Sequence, residues 1–441
     1  MSNLDALNVS INITQQTIFL PTLMFVSRLI RQLYARYMAP TEFTTQVLKC
    51  DPSSITFPSS SDEPQISSEA TLEALKLASH HLVDLGQTVV FPTETVYGLG
   101  ALALDATAAS KIFLTKGRPP DNPLIVHVSS FKMLHSLLPP GYAIPKSYEI
   151  LMKHFWPGAL TLLFPRNPDV VPTIITANQP TVAIRMPSHP VARALIAIAN
   201  APLAAPSANT SGKPSPTKAD HVYRDLNGKL GLILDGGACG VGLESTVVDG
   251  LHEDGNIRVL RPGGITVEDI ERVLRKDIHD LGNIPKVLVH KRDYADEQME
   301  SAPTTPGMKY RHYSPAVPVN LLLTIPSLSG IEPTTRFSDY IGSLRKDVGN
   351  ESVKIGVLAA TDSKLWEFIQ PEDGIVWCRY PLGPLAEPSV IAHRLFDGLL
   401  SLEKEGVHLM LIEEVDEDRE GLAIMNRVRK AASESVRIEL Q

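Results

Sequence analysis

Two cationic side chains on a stiff loop, within residues 115–128, are suited to binding a polyphosphate. Lys116 and Arg118, in TKGRPPDNPLIVHV (residues 115–128), come directly after a helical pattern and before a proline pair, which restricts the backbone. A guanidinium group binds phosphate oxygens as a fork, and a lysine ammonium adds a point charge. A basic helix end that satisfies the helix dipole is the structural alternative, and taken alone it is the commoner case.

The segment FPTETVYGLG, residues 91–100, ends an apolar strand with hydroxyl groups and a carboxylate. Two threonines, a glutamate and a tyrosine follow the strand, together with Gly98 and Gly100. Polar groups at the carboxyl end of a strand, with glycines that let the backbone come close, fit a pocket for a small polar ligand. A strand that leaves the core through a glycine-containing turn is an equally good interpretation of this stretch alone.

Arg185, in TVAIRMP (residues 181–187), lies on an otherwise apolar strand. An unpaired charge is costly in a strand interior. A carboxylate is therefore expected beside Arg185, either from the protein or from a bound acid. His127, on the strand LIVHV (residues 124–128), is more often a core histidine than a ligand contact.

Three further segments place small and hydroxyl side chains beside predicted strands. They are LAAPSANTSGKPSPT (203–217) with Ser207, Asn209 and Ser215, GLESTVVD with Glu244, Ser245 and Thr246, and VLRPG with Arg261. Each has a structural explanation, such as turn chemistry, when taken alone. Together with the segments of Lys116 and Arg185, they make five polar segments that share one sheet, which favours a site over a set of turns.

Residues 301–318, SAPTTPGMKYRHYSPAVP, contain four prolines, which is typical of a semi-rigid connector. The stretch KYRHY, residues 309–313, is rich in aromatic and basic side chains. A linker that folds back over a nucleotide would use tyrosine to cover a base and arginine or histidine to reach phosphate. A connector docked on the domain surface is the alternative.

The elements around these segments predict two α/β domains in a chain of 441 residues, which is too long for one ordinary core. We expect an extension over 1–64, a first domain over 65–282, a linker over 283–318 and a smaller second domain over 319–441. Residues 50–67 have the composition of a solvated linker. The first domain mixes strands and helices on one twisted sheet, and the second alternates them around a parallel sheet. A stripe of Leu72, Leu75, Leu82 and Leu85, closed by Gly86, predicts the first helix.

The bulk composition excludes several classes of protein. A formal net charge of -8 argues against a protein that coats nucleic acid through its overall field. Cys50, Cys239 and Cys378 lie far apart, so neither a disulfide framework nor a zinc site is indicated and a reducing compartment fits best. No apolar run reaches the roughly 20 residues that a membrane-spanning helix needs.

Residues 24–40 carry three arginines and no acid, with apolar residues at helical spacing. This pattern is typical of a mitochondrial presequence. A second start at Met24 would then send part of the product to mitochondria, beside a cytoplasmic form. A disordered eukaryotic extension is the alternative.

In chain order, FPTETVYGLG, KGRPPDNPLIVH, VAIRMP, PSAN, EST and LRPG resemble the YrdC-like family. The KYRHYSP linker with its following α/β domain resembles the long, two-domain threonylcarbamoyl-AMP synthases. The resemblance spans about residues 65–441 and implies a YrdC-like twisted open α/β sheet with a concave basic face, plus a smaller Rossmann-like C-terminal α/β domain. It implies a nucleotidyltransferase that makes threonylcarbamoyl-AMP and pyrophosphate from L-threonine, bicarbonate and ATP. The product would feed threonylcarbamoyladenosine modification of tRNAs that read codons beginning with A, through a separate transferase complex.

The resemblance also assigns residues to the two substrates. The threonine site would comprise Thr95, His127, Arg185, the backbone at Ala205, and Ser245, with Arg185 paired to the threonine carboxylate. The ATP site would comprise Lys116, Arg118, Asn122, Thr181, Ser207, Asn209, Ser215 and Arg261, with Tyr310 or Tyr313 as a lid. Lys116 and Arg118 would be the catalytic cations. No dedicated metal ligands are evident, so Mg²⁺ would arrive on the phosphates of ATP.

Two other functions compete with this interpretation. A binding module for double-stranded RNA or tRNA would use the same basic residues without catalysis, and weak RNA binding is compatible with either interpretation. A carbamoyl-transfer enzyme of the hydrogenase-maturation type would need an acylphosphatase-like portion and zinc-finger cysteines, and the sequence has neither.

Overall fold

The computed structural model describes residues 43–59, 61–279, 284–294, 296, 312–326, 334–348 and 352–440. The strands are β1 Gln46–Lys49, β2 Ile55–Thr56, β3 Gln65–Ile66, β4 Val89–Phe91, β5 Gly98–Leu102, β6 Ile125–His127, β7 Leu160–Pro165, β8 Thr181–Arg185, β9 Leu203–Ala204, β10 Leu232–Asp235, β11 Thr246–Asp249, β12 Ile257–Arg261, β13 Val287–Val289, β14 Val319–Leu323, β15 Thr335–Arg336, β16 Val353–Ala359, β17 Ile375–Pro381, β18 Leu409–Glu413 and β19 Glu434–Glu439. The α-helices are α1 Glu69–Val83, α2 Ala106–Lys116, α3 Phe131–Leu137, α4 Lys146–Phe155, α5 Thr173–Thr176, α6 Pro190–Ala199, α7 Ala219–Leu226, α8 Val267–Asp277, α9 Phe337–Val348, α10 Leu365–Phe368, α11 Pro388–Lys404 and α12 Glu420–Ala431.

The first domain is built on one large mixed sheet. Its strands follow the order β1-β10-β4-β5-β9-β6-β8-β7-β11-β12-β13. Strands β6 and β8 run parallel, and their register places His127 beside Arg185. Strands β11 and β12 run antiparallel, so the start of β11 meets the end of β12 at Arg261. The sheet therefore brings polar residues from distant parts of the chain to neighbouring strand ends.

The second domain is a six-stranded sheet in the order β15-β19-β14-β18-β16-β17. Every pairing in it is parallel. Apolar residues dominate its central strands, and α11 and α12 pack beside them in one core, as expected for a parallel sheet that is covered by helices. The predicted two-domain α/β class, with a parallel second sheet, is confirmed.

Local signals in the sequence place the two helices that lead into the candidate site. Helix α1 begins at the N-cap Ser68, whose side chain accepts a hydrogen bond from the Thr71 backbone N–H. Helix α2 begins at the N-cap Asp105 and ends at Gly117, which has a φ of 60°. The Arg118 backbone N–H then donates to the Phe113 carbonyl, a Schellman closure that fixes the direction of the following loop.

Three expectations from the sequence are wrong in detail. The predicted extension over 1–64 and linker over 50–67 contain strand β1, which pairs in parallel with β10, and the antiparallel pair β2 and β3. The first domain also continues past 282, because β13 adds to the edge of its sheet. Leu85 is 48% exposed and lies beyond the end of α1, so the buried stripe of that helix stops at Leu82.

Two predictions from the sequence concern a targeting segment and membrane-spanning helices. The predicted presequence, residues 24–40, lies outside the described residues. Within the described ranges, no helix is both long and apolar enough to cross a membrane.

Candidate active site

A cavity of about 50 Å³ lies at the strand ends of the first domain, beside the linker. It is lined by Thr95, Val96, Arg118, Ile125, His127, Arg185, Ala205, Pro206, Ser207, Glu244, Ser245, Arg261, His312 and Tyr313. All five residues predicted for threonine binding are in this set, with four of those predicted for ATP. The structure thus brings Arg118, Arg185 and Arg261 to one cavity.

Arg185 has a carboxylate partner, as its position on an apolar strand requires. Its Nη2 lies 2.6 Å from Glu94 Oε1 and its Nη1 lies 2.9 Å from Thr95 Oγ1. Its Nε donates to the Gly158 carbonyl. The partner is therefore supplied by the protein itself. Three of the five guanidinium N–H groups donate to these described atoms, which leaves two for a bound carboxylate.

Glu94 is in turn held by backbone donors. Its Oε2 accepts from the Ser188 backbone N–H at 3.1 Å and from that of His189 at 3.4 Å. The sequence indicated a polar strand end here but did not identify Glu94 as the partner of Arg185.

The other polar groups of the 91–100 segment support the fold. The Thr93 hydroxyl donates to the Val96 carbonyl and lies 2.7 Å from Thr95 Oγ1. The Tyr97 hydroxyl donates to the Gly237 carbonyl. A Cβ atom on Gly100 would lie 2.5 Å from the Phe91 ring. That glycine makes room for a neighbouring side chain, so the prediction that both glycines admit a ligand is wrong for Gly100.

His127 is a neutral side chain in the cavity wall. Its Nδ1 lies 3.2 Å from the Ile125 carbonyl oxygen. Burial, and then the adjacent Arg185 guanidinium, lower the pKa of His127 to about 3. The ring can therefore exchange hydrogen bonds with a substrate at pH 7 without adding charge to the cavity.

Arg118 projects into the cavity from the loop after α2. Its Nε and Nη2 donate to the carbonyls of Asn122 and Pro123. Within the described part of the chain it forms no salt bridge. Burial, and then the nearby Arg261, lower the pKa of Arg118 to about 9, so the side chain remains charged at pH 7.

Arg261 reaches the cavity from the end of β12. Its Nε and Nη2 donate to the Ser245 carbonyl, and Nη2 also lies 3.2 Å from the Ser245 hydroxyl. The Ser245 hydroxyl lies 2.8 Å from Thr161 Oγ1. Two residues that the resemblance assigned to different substrates are therefore in direct contact.

Lys116 lies behind the cavity wall. Its ammonium donates to the carbonyls of Ser207 and Asn209 at 2.5 Å and lies 3.4 Å from Asn209 Oδ1. The side chain is 2% exposed, and burial, then Arg118, lower the pKa of Lys116. Lys116 thus holds the loop that carries Ser207, and its direct contact with phosphate stays a prediction from the sequence.

The remaining residues assigned to ATP do not line the cavity. Asn122 Oδ1 and Thr181 Oγ1 are buried and have no hydrogen-bond partner among the described residues. Asn209 Nδ2 donates to the carbonyls of Thr210 and Lys213. The Ser215 hydroxyl donates to Glu244.

The linker reaches the cavity through His312 and Tyr313. The two rings lie 4.5 Å apart, and Tyr313 packs against Phe396 of the second domain at 5.3 Å. Burial lowers the pKa of His312 to about 3, with Arg118 adding to the effect. Burial, and then Glu244, raise the pKa of Tyr313 to about 12. Tyr310 lies outside the described residues, so the choice between the two tyrosines stays open.

The second domain contributes a residue that the sequence did not reveal. Arg427, on α12, is fully buried, and its Nε and Nη2 each lie 3.1 Å from Glu244 Oε2. Burial opposes ionisation of Glu244, but Arg427 and then Arg261 outweigh it and lower the pKa of Glu244. In the sequence, Arg427 lies in an ordinary basic helix end, where nothing distinguishes it from Arg429.

Family models match nearly all of the two domains. A model described as "Telomere recombination", for Sua5, YciO and YrdC proteins, matches residues 81–263. A model described as "Threonylcarbamoyl-AMP synthase, C-terminal domain" matches residues 265–433.

Relatives from three organisms are named threonylcarbamoyl-AMP synthase. The Schizosaccharomyces pombe protein is 45% identical and aligns over 82% of this chain and 89% of its own length. The Pyrococcus abyssi protein is 43% identical over 79% of this chain and 91% of its own. The Bacillus subtilis protein is 40% identical over 85% of this chain and 94% of its own length.

A solved structure extends the similarity to three dimensions. The crystal structure of P. abyssi Sua5 complexed with L-threonine superposes with a TM-score of 0.68 and 37% identity, over 90% of this chain and all of that one. From its two matched domains and these relatives, the chain belongs to the two-domain threonylcarbamoyl-AMP synthase family.

Proposed function

We propose that the protein condenses L-threonine, bicarbonate and ATP into threonylcarbamoyl-AMP and pyrophosphate. The observation that carries the proposal is the single cavity in which Thr95, His127 and Arg185 face Arg118 and Arg261. The threonine complex of the P. abyssi relative supports the same assignment. The comparisons favour this synthesis over the alternative of an RNA-binding module without catalysis.

The charges of the cavity suit two anionic substrates. Three arginines and one carboxylate, Glu244, line it, and both of its histidines are neutral at pH 7. Arg427, which does not line the cavity, neutralises Glu244 through an ion pair. Fixed guanidinium groups in a buried site stabilise negative charge without having to reorganise during the reaction.

The threonine carboxylate binds at the two N–H groups of Arg185 that have no acceptor among the residues the structure describes. Glu94 and Thr95 hold that guanidinium in place, which orients the amino acid before reaction. The neutral His127 ring and Ser245 also line the cavity, and they can bind the substrate hydroxyl or amine.

The reaction itself needs little covalent work from the protein. The threonine amine takes up carbon dioxide from bicarbonate as a carbamate, and a carbamate oxygen attacks the α-phosphorus of ATP as pyrophosphate leaves. Arg118 and Arg261 neutralise the charge that develops on the phosphates, and positioning supplies most of the acceleration. Lys116 acts indirectly, by fixing the loop of Ser207.

Mg²⁺ enters in this proposal as part of the substrate, bound to the phosphates of ATP. The residues fit that arrangement, because the cavity carboxylate Glu244 is already engaged by Arg427 and by the Ser215 hydroxyl. Across the described ranges, no group of three or more His, Cys, Asp or Glu side chains is arranged to hold a metal ion.

His312 and Tyr313 form the linker side of the cavity and serve as its cover. We propose that these two rings cover bound ATP and exclude water from the reaction.

Pyrophosphate release tests the function most simply. The full-length protein is incubated with MgATP and bicarbonate, and with L-threonine, L-serine or no amino acid. We expect release that depends on threonine, together with a product of the mass of threonylcarbamoyl-AMP. A protein that binds RNA in the same buffer but releases no pyrophosphate with threonine contradicts the proposal.

Three further parts of the proposal concern the cell. The adenylate product passes to a separate transferase complex that modifies tRNA, and any direct RNA binding by this chain is weak. The protein is cytoplasmic, with a mitochondrial form that begins at Met24. A fluorescent reporter fused to residues 24–50 tests the second location, and a purely diffuse signal contradicts it.

A further inference from the structure

Glu244 poses an electrostatic problem for a site that binds phosphates. It is the one carboxylate among the described residues that line the cavity, and it is 7% exposed. An uncompensated carboxylate there would repel ATP and attract the arginines that should face the phosphates. A partner from outside the cavity is therefore required.

The second domain supplies that partner as Arg427, which is not one of the arginines that line the cavity. Arg427 is 0% exposed and contacts Glu244 Oε2 through Nε and Nη2, both at 3.1 Å. Its Nη1 donates to the carbonyls of Pro262 and Ala423. Pro262 directly follows Arg261, so one side chain fixes both the carboxylate and the backbone next to a cavity arginine.

The surrounding contacts show that this part of the second domain is closely docked. The backbone of Gly242 approaches His393 of α11 so closely that a Cβ atom would lie 2.4 Å from the His393 backbone. His393 Nδ1 lies 3.0 Å from the Gly240 carbonyl oxygen. The loop 240–245 is thus held by α11 at one end and by α12, through Arg427, at the other.

We propose that Arg427 is a positioning residue for ATP: it neutralises Glu244 and holds it in place, so that this carboxylate does not oppose the binding of phosphates beside Arg118. This inference rests on the proposed function and gives the second domain a direct part in the first domain's chemistry. It separates Arg427 from Arg429, the exposed arginine of the same helix, which pairs with Glu417.

The test is steady-state kinetics of the full-length protein, measured as pyrophosphate release with ATP varied at saturating threonine and bicarbonate. Arg427→Met removes the ion-pair partner of Glu244, which stays buried and keeps the hydrogen bond from the Ser215 hydroxyl. We expect it to raise the KM for ATP about tenfold to a hundredfold, as coupled neighbours do, with a smaller change in kcat. The matched control is Arg429→Met. Arg429 is half exposed and pairs with Glu417 on the surface, so its loss leaves the KM for ATP unchanged.

The decisive variant is the double change Glu244→Gln with Arg427→Met. Glutamine still accepts a hydrogen bond from Ser215, and removal of both charges of a buried pair is often well tolerated. We expect the double variant to recover a KM for ATP within about fivefold of the wild type. A merely structural role for Arg427 predicts no such rescue, and failure of the rescue overturns the inference.

Two other outcomes are also informative. If Arg427→Met alone does not fold, the double variant carries the test by itself, and a folded double variant with a strongly raised KM for ATP contradicts the inference. If the wild type releases pyrophosphate normally and Arg427→Met matches it, the inference is wrong while the proposed function stands. If the wild type shows no threonine-dependent release, the proposed function is wrong, and the inference fails with it.

Discussion

Replacement of Arg185 by methionine separates the two roles that the structure gives its guanidinium. The variant loses hydrogen bonds to Glu94, Thr95 and Gly158. Breaking a buried ion pair costs about 3 to 5 kcal/mol. Glu94 keeps two backbone donors and its side chain is 15% exposed, so we expect a loss near the lower limit, about 3 kcal/mol of unfolding free energy.

The same variant also loses the proposed contact with the threonine carboxylate. Each charge-assisted hydrogen bond is worth roughly 1.5 to 3 kcal/mol. Loss of two such bonds therefore predicts a fall of about a hundredfold to ten-thousandfold in kcat/KM for threonine. Urea denaturation measures the first effect, and pyrophosphate release with threonine varied measures the second.

A second substitution distinguishes stability from substrate binding. Adding Glu94→Gln removes the carboxylate that Arg185→Met leaves unpaired, so the double variant should regain stability to within about 1 kcal/mol of the wild type. Its kcat/KM for threonine should stay low, because no cation faces the substrate. Recovery of threonine use in the double variant would show that Arg185 acts only by holding Glu94, and would refute the reasoning.

Three further predictions follow from particular contacts. Gly242→Ala places a side chain at a φ of 80° and a Cβ atom 2.4 Å from the His393 backbone, so it should lower the unfolding free energy by at least about 2 kcal/mol. Gly255→Ala is the control, because Gly255 has a φ of 68° but open space around it. Equal losses of unfolding free energy in the two variants contradict the close contact between Gly242 and His393. Lys116→Met loosens the loop that its ammonium holds and should lower kcat/KM for ATP by about a hundredfold through misplacement of that loop, whereas near-normal turnover contradicts it. The pKa of His127 falls from 6.5 in the unfolded chain to about 3 in the fold, so below pH 6.5 the unfolded chain binds a proton that the folded protein does not. The unfolding free energy should therefore fall by about 1.4 kcal/mol for each pH unit below 6.5 and stay level above it. Urea curves at about pH 7 and about pH 5 measure this change, and an unchanged pH dependence of the unfolding free energy in His127→Gln contradicts it.

The elements that carry local signals could be predicted from the sequence. Helix α2 ends at Gly117, because only glycine enters the left-handed region at little cost. Arg118 directly follows that glycine. His127 and Arg185 could be placed on strands from their apolar neighbours. Their convergence needed one further step, since parallel neighbouring strands bring them together.

Long-range contacts could not be predicted in this way. Strand β1 has four residues and pairs in the sheet with β10, a contact that no local pattern shows, so its segment falls within the predicted extension over 1–64. Glu94 and Arg185 are 91 positions apart, and Glu244 and Arg427 are 183 apart. No periodicity or cap links such residues, because the contact depends on how the sheets and helices pack.

The direct test of a shared cavity is a crystal structure of the protein with L-threonine and a non-hydrolysable ATP analogue. We expect the threonine carboxylate within about 3 Å of Arg185, and the phosphates facing Arg118 and Arg261 in the same cavity. Threonine bound elsewhere, or phosphates bound away from these two arginines, would contradict the account.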